Sequence, residues 1–121
     1  VIYYAHSIAI YNTPQEDRDV ELLKSLGLEV YNPNNPCDAE AYRRVGMGHF
    51  DNLLREAIPL GKFIGLAFRA NIDGSINAGI AREIEIAREL GAPIIELPSN
   101  ISRRMLDVET TRGILREQGV R

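Results

Sequence analysis

One carboxylate in the sequence stands without a cation. In the stretch from Ile76 to Leu90, INAGIAREIEIAREL, the helical neighbours of Glu83 three and four positions away are Gly79, Ile80, Ile86 and Ala87, none of them basic. A carboxylate bordered by apolar groups loses hydration, which favours its protonated form. Gly79, one turn toward the amino end, has no side chain to cover the group, and helical side chains lean that way. The spacing therefore leaves room above Glu83, as a nucleophile or a general acid–base group requires. The plainer reading, a solvated glutamate on the flank of an amphipathic helix, is the commoner one for such spacing. The remaining charges, Arg82, Glu85, Arg88 and Glu89, are expected to lace together along the surface, with Arg82–Glu85 and Glu85–Arg88 as neighbours three apart.

Other groups gain interest from position. His6 and Ser7 follow the first apolar run directly; His6 has the chemistry of a general acid or base, although a lone histidine in a loop is more often simply exposed or hydrogen-bonded. Asp73-Gly74-Ser75 has the composition of a turn with a helix cap, or of a pocket mouth. Asp51 has Arg55 four residues on, the spacing of a surface ion pair. No P-loop and no G-x-G-x-x-G is present, which withdraws support from ATP hydrolysis and dinucleotide redox chemistry. Neither a G-x-S-x-G elbow nor a C-x-x-C pair occurs. Cys37 is the single cysteine and sits in an Asn/Pro loop; with 2 histidines it is too little for a structural zinc site. The sequence thus shows no metal-ligand spacing.

The elements that must position these groups alternate between strand and helix. Val1 to Ala5 is a short apolar run of strand length. Thr13-Pro14-Gln15-Glu16 has the form of a capping box opening a helix that Gly27 closes. Leu28 to Tyr31 is a second strand, stopped by Asn32-Pro33-Asn34-Asn35-Pro36. Asp38 to Ile58 is helical with a break at Gly46-Met47-Gly48. Lys62 to Phe68 is a third strand, Ile76 to Leu90 the strongest helix, and Pro93 to Leu97 a fourth strand. Asp107 caps a last helix from about Val108 to Gln118. This order predicts an α/β, flavodoxin/Rossmann-like three-layer sandwich, its parallel sheet of four to five strands ordered 2-1-3-4(-5). Ligands of such sheets bind beyond the carboxyl ends of the strands, where the winding reverses. That rim contains His6, Ser7, the loop from Arg69 to Ser75 and the start of the next helix.

At 121 residues the chain is expected to form a single domain. Charged residues make up 26% and the net charge is −3, which excludes a generally basic nucleic-acid binder. No apolar run reaches the roughly 18 residues of a membrane span. The strand-like start lacks the charged and apolar regions of a signal peptide, so a cytoplasmic location is expected.

The residues resemble a family. Ile2-Tyr3-Tyr4-Ala5-His6-Ser7-Ile8 is similar to the opening strand and loop of nucleoside 2-deoxyribosyltransferases, and closer to 2'-deoxynucleoside 5'-phosphate N-hydrolases. Gly27 to Pro33 resembles the second strand of that family, and His49 to Leu54 the helix carrying its aspartate. Asp73-Gly74-Ser75, then Gly79-Ile80-Ala81-Arg82-Glu83 and Gly91-Ala92-Pro93-Ile94, resembles the segment that holds the family's catalytic glutamate. The likeness covers roughly residues 1 to 98 and puts Glu83 on that glutamate. It implies a single nucleoside 2-deoxyribosyltransferase-like domain over residues 1–121. The implied reaction is cleavage or transfer at the N-glycosidic bond of a (deoxy)nucleoside or its 5'-monophosphate, through a glycosyl-enzyme intermediate on Glu83. Tyr3 would hold Glu83 by a hydrogen bond, and Asp51 or Asp73 would orient the substrate or relay a proton. His6, Ser7, Ile8, Gly74, Ser75 and Gly79 would line the substrate, with Ser7 receiving a 5'-phosphate; Arg69 is a second phosphate candidate by its location alone. That chemistry needs no metal or organic cofactor, and a homodimer is implied as well. Two positions depart from the pattern: Glu85 and His6 stand where the family commonly has glycine. The alternative they favour is a non-catalytic nucleotide-binding sensor on the same fold.

Overall fold

The computed structural model describes residues 1–99 and 105–120. Strand β1 is Ile2–Ala5, followed by a 3-10 turn at Ile8–Ile10 and helix α1, Pro14–Ser25. Strand β2 is Val30–Tyr31, and two short helices follow, α2 at Pro36–Val45 and α3 at Gly48–Ala57. Strand β3 is Gly65–Phe68, α4 is Ala78–Glu89, β4 is Ile94–Glu96 and α5 is Val108–Glu117. The expected order of elements is found, with strands shorter than their apolar runs. Among the described residues the sheet has four strands, all parallel, in the order β2-β1-β3-β4; the optional fifth strand is absent there.

Alternation along β1 distributes the core between the two faces. Tyr3 and Ala5 join Leu66, Phe68, the α3 residues Leu54 and Ala57, and Ile80, Ile84 and Ala87 of α4. Ile2 and Tyr4 join Ala67, Leu97 and Leu23 of α1 on the other face. Ile80, Ile84 and Ala87 are the stripe expected from the periodicity of α4, and all three are buried. β1 and β3 each have a strand on both sides, and all four residues of each are buried, so these two strands form the centre of the sheet. Gly65 meets β4 so closely that a Cβ there would lie 2.9 Å from the Pro93 carbonyl oxygen.

Thr13 caps α1 as the sequence predicts, its Oγ1 accepting from the Glu16 N–H at 3.4 Å. The second half of the capping box does not form. The Glu16 side chain accepts from the Asn12 N–H at 3.1 Å and lies 2.7 Å from His6 Nε2. Cys37 belongs to the first turn of α2 rather than to a loop, because Asn35 caps that helix and Pro36 opens it. No helix among the described residues is long and apolar enough to cross a membrane.

Candidate active site

A cavity of about 640 Å³ opens beyond the carboxyl ends of β1 and β2, beside the β1–β3 boundary where the winding reverses. Tyr3 and Glu83 are in its lining, together with His6, Ser7 and Ile8 from the loop after β1. Asn34 and Asn35 come from the loop after β2, Tyr42 and Arg43 from α2, and Phe50 and Asp51 from α3. Gly79, Ile80 and Arg82 complete the α4 side, and Met47 approaches Gly79 so that a Cβ there would touch its methyl group at 3.9 Å.

Glu83 accepts a hydrogen bond from the Tyr3 hydroxyl. Period-two alternation aims Tyr3 at this face, and α4 brings Glu83 to it because Ile80, Ile84 and Ala87 seat the helix on the sheet. The Tyr3 ring is fixed in turn by Tyr31, stacked at 6.0 Å and 17°, and by Phe63 at 5.5 Å. Burial raises the Glu83 pKa, the Tyr3 hydrogen bond lowers it and the Asp51 charge raises it, for a result of about 7. Burial, and then the facing Glu83 charge, drives the Tyr3 hydroxyl far above its ordinary value, so Tyr3 stays a donor. Tyr11, also in the lining, is pushed up to about 12, first by burial and then by Glu83.

The raised carboxyl has a consequence for stability. Its ordinary value is 4.5 and its folded value about 7. Between these pH values the folded chain retains a proton that the unfolded chain has released, so stability falls as pH rises through the window. The difference amounts to roughly 3 kcal/mol once both states are ionised. Glu83→Gln removes the titration, so its stability relative to wild type should increase by roughly that amount between pH 4 and 8. Urea unfolding at a series of pH values checks this, and parallel curves for the two proteins would count against it.

Four other predicted groups are elsewhere. Arg69 is not a phosphate group of this cavity: it grips Asp19 with Nε at 3.0 Å and Nη2 at 2.5 Å, and its Nη1 donates to the Pro98 carbonyl. Asp73, Gly74 and Ser75 are exposed and absent from the lining. Asp73 Oδ1 accepts from the Ser75 N–H and hydroxyl, and those bonds hold its carboxyl below the ordinary range. This is the turn reading of the tripeptide. Asp51 pairs with Arg82 at 2.6 Å rather than with Arg55, which reaches Glu89 at 3.2 Å. Packing of α3 on α4 makes these cross-helix pairs available, and the expected Arg82–Glu85 pairing is replaced.

His6 is buried, stacked on Tyr4 at 3.7 Å and 3°. Its Nδ1 lies 3.0 Å from the Tyr4 carbonyl oxygen and its Nε2 faces Glu16, so both ring nitrogens are engaged inside the wall. Burial opposes the Glu16 charge, but hydrogen bonds from His6, the Asn12 N–H and Asn34 outweigh it and hold the carboxyl low. Glu85 is exposed and outside the cavity lining.

A second network braces the β2 end. Asp38 accepts from the Tyr31 hydroxyl at 2.5 Å and from Asn35 Nδ2 at 2.6 Å, and His49 Nε2 lies 2.7 Å from it. Burial opposes the Asp38 charge, while these bonds hold its carboxyl below the ordinary range. Sequence reading passed over Glu16, Asp38, Asn34, Tyr42 and Phe50; the Asn/Pro run signalled a loop, and nothing local signalled its partners. Among the described residues no group of three or more His, Cys, Asp or Glu side chains is arranged to hold a metal ion. No family model, no curated protein and no solved structure matches the chain.

Proposed function

We propose that the chain cleaves or transfers at the N-glycosidic bond of a (deoxy)nucleoside or its 5'-monophosphate, with Glu83 as the nucleophile. The observation that carries this reading is a desolvated carboxylate, aimed by a tyrosine hydroxyl, in the lining of a cavity of nucleoside size. Ile8, Tyr42, Met47 and Phe50 give apolar surface suited to a base, and Ser7 supplies a hydroxyl at the mouth.

In the reaction, a Glu83 oxygen forms a bond to C1' as the C1'–N bond breaks through an oxocarbenium-like transition state. The bonding pair leaves with the base, which takes up a proton from solvent that the attacking water or second base returns when it loses its own in the next step. Water or a second base then attacks C1' and frees the carboxylate. Tyr3 fixes the attacking oxygen, and its donated proton stabilises the ionised form that the attack requires. Asp51, tied through Oδ2 to Arg82, keeps Oδ1 for a substrate hydroxyl or base.

Attack needs the ionised carboxylate, so base release should rise with pH along a limb near 7. Tyr3→Phe deletes a bond that lowers the Glu83 pKa, and should move that limb to higher pH while reducing the maximal rate. A pH–rate profile of both proteins measures it; an unmoved limb would detach the titration from Glu83.

The deciding experiment is release of free base from ribo- and deoxyribonucleosides and their 5'-monophosphates, with and without a second base as acceptor. Release from monophosphates without acceptor marks a hydrolase, and dependence on acceptor marks a transferase. Binding without release under every condition would favour the nucleotide sensor.

A further inference from the structure

Glu16 belongs to α1, yet its carboxylate ties together two walls of the cavity. It receives the Asn12 N–H from the loop after β1, faces His6, and accepts from Asn34 Nδ2 of the loop after β2 at 3.0 and 3.1 Å. Asn12 sits at φ 59, in the left-handed region that asparagine tolerates better than most residues, and there its Oδ1 also accepts from Asn34 Nδ2 at 3.0 Å.

This arrangement decides which way the Asn34 amide points. An ionised carboxylate only accepts hydrogen bonds, and Glu16 is held ionised by the donors around it. The Asn34 nitrogen therefore faces Glu16 and Asn12, and turning the amide over would set oxygen against oxygen. Asn34 is in the cavity lining, and its Oδ1 accepts from no group among the described residues. The neighbouring Asn35 has nothing to offer, since its Oδ1 caps α2 and its Nδ2 donates to Asn32 and Asp38. This wall consequently presents an acceptor and no amide donor.

We infer that Asn34 Oδ1 is a specificity-determining acceptor that reads a hydrogen-bond donor on the substrate, with Glu16 as the positioning residue that fixes its polarity. The inference rests on the nucleoside reading of the cavity. The donor is an exocyclic amino group of the base, as in adenine or cytosine, or a sugar hydroxyl. A keto base in the same place would set its carbonyl oxygen against Oδ1, leaving both acceptors unpaired.

The test compares deoxycytidine with deoxyuridine, deoxyadenosine with deoxyinosine, and deoxycytidine with 2',3'-dideoxycytidine, by calorimetric binding and by base release. Wild type should prefer the amino member of each pair, or the member with the 3'-hydroxyl, by about tenfold. In Glu16→Gln the residue at 16 can donate to Asn34, which lets Asn34 turn its nitrogen into the cavity. That preference should vanish or reverse, an outcome a merely structural role for Glu16 would not produce. Asn34→Ala, which keeps the His6 and Asn12 contacts of Glu16, should also abolish it, and decides the matter if Glu16→Gln fails to fold. An amino preference assigns the acceptor to the base, and a hydroxyl preference assigns it to the sugar. Equal handling of every pair by wild type, or an unchanged preference in both variants, overturns the inference while base release leaves the proposed chemistry intact. Selective binding without release supports the inference and overturns the chemistry. No binding of any nucleoside overturns both.

Discussion

Glu83→Ala is expected to lower base release by a factor of roughly 10³ or more, the scale of losing a nucleophile whose partners act with it as a unit. With the carboxylate gone, C1' must develop its positive charge without an oxygen to collapse onto it. Binding, by contrast, should survive, because the apolar wall formed by Ile8, Tyr42, Met47 and Phe50 is untouched. Glu83→Gln makes the comparison cleaner, since it keeps volume and an oxygen able to accept from Tyr3. Equal loss in both variants assigns the effect to the negative charge. A small anion such as azide fits the space left by Glu83→Ala and should restore part of the rate, giving a glycosyl azide. Chromatographic measurement of free base decides the matter: an Ala variant retaining a tenth of wild-type release would exclude Glu83 as nucleophile.

Asp19→Ala is expected to cost about 3–5 kcal/mol of folding stability, the usual result of removing one partner from a buried ion pair. The side chain of Asp19 is 2% exposed and that of Arg69 11%. Asp19 accepts from the Tyr4 hydroxyl at 2.5 Å and from Gln15 at 2.7 Å besides the two-pronged Arg69 contact. Its loss leaves a guanidinium facing an emptied space and a buried phenol without its acceptor. Asp19→Asn should cost less, because an amide oxygen still serves one donor, and Asp19→Leu with Arg69→Met should recover part of the loss. Equilibrium unfolding in urea provides the comparison, and an Ala variant within about 1 kcal/mol of wild type would show that the network contributes little.

What the sequence made legible was what lies within one helix or one strand. The stripe Ile80, Ile84 and Ala87 follows from periodicity, and so does the isolation of Glu83 among its own helical neighbours. The strand order followed from alternation and chirality, since the β1–β3 crossover leaves few alternatives. Contacts between distant segments were not legible from spacing. Arg69 looked available for phosphate because its partner lies 50 residues earlier, and Arg82 looked set for Glu85 because Asp51 comes from another helix. His6 stood at the rim as expected, but stacking on Tyr4 and contact with Glu16 absorb both of its nitrogens. The phenol over Glu83 was implied by family resemblance and not by spacing, since a hydrogen bond spanning 80 residues leaves no local trace.

The placement of β1 between β2 and β3 also sets a schedule for the nascent chain. Tyr3 and Tyr4 are made before their partners, and their hydroxyls end on opposite faces of the sheet, one at Glu83 and the other at Asp19. Asp19 follows within 15 residues of Tyr4, whereas β3 must still be translated before β1 has its second edge paired, and Glu83 comes 80 residues after Tyr3. A shift of β1 by one residue would exchange the two tyrosines between faces. Such a shift would also part the Tyr4 hydroxyl from Asp19, so the side of the sheet remote from the cavity guards the alignment on which the cavity depends.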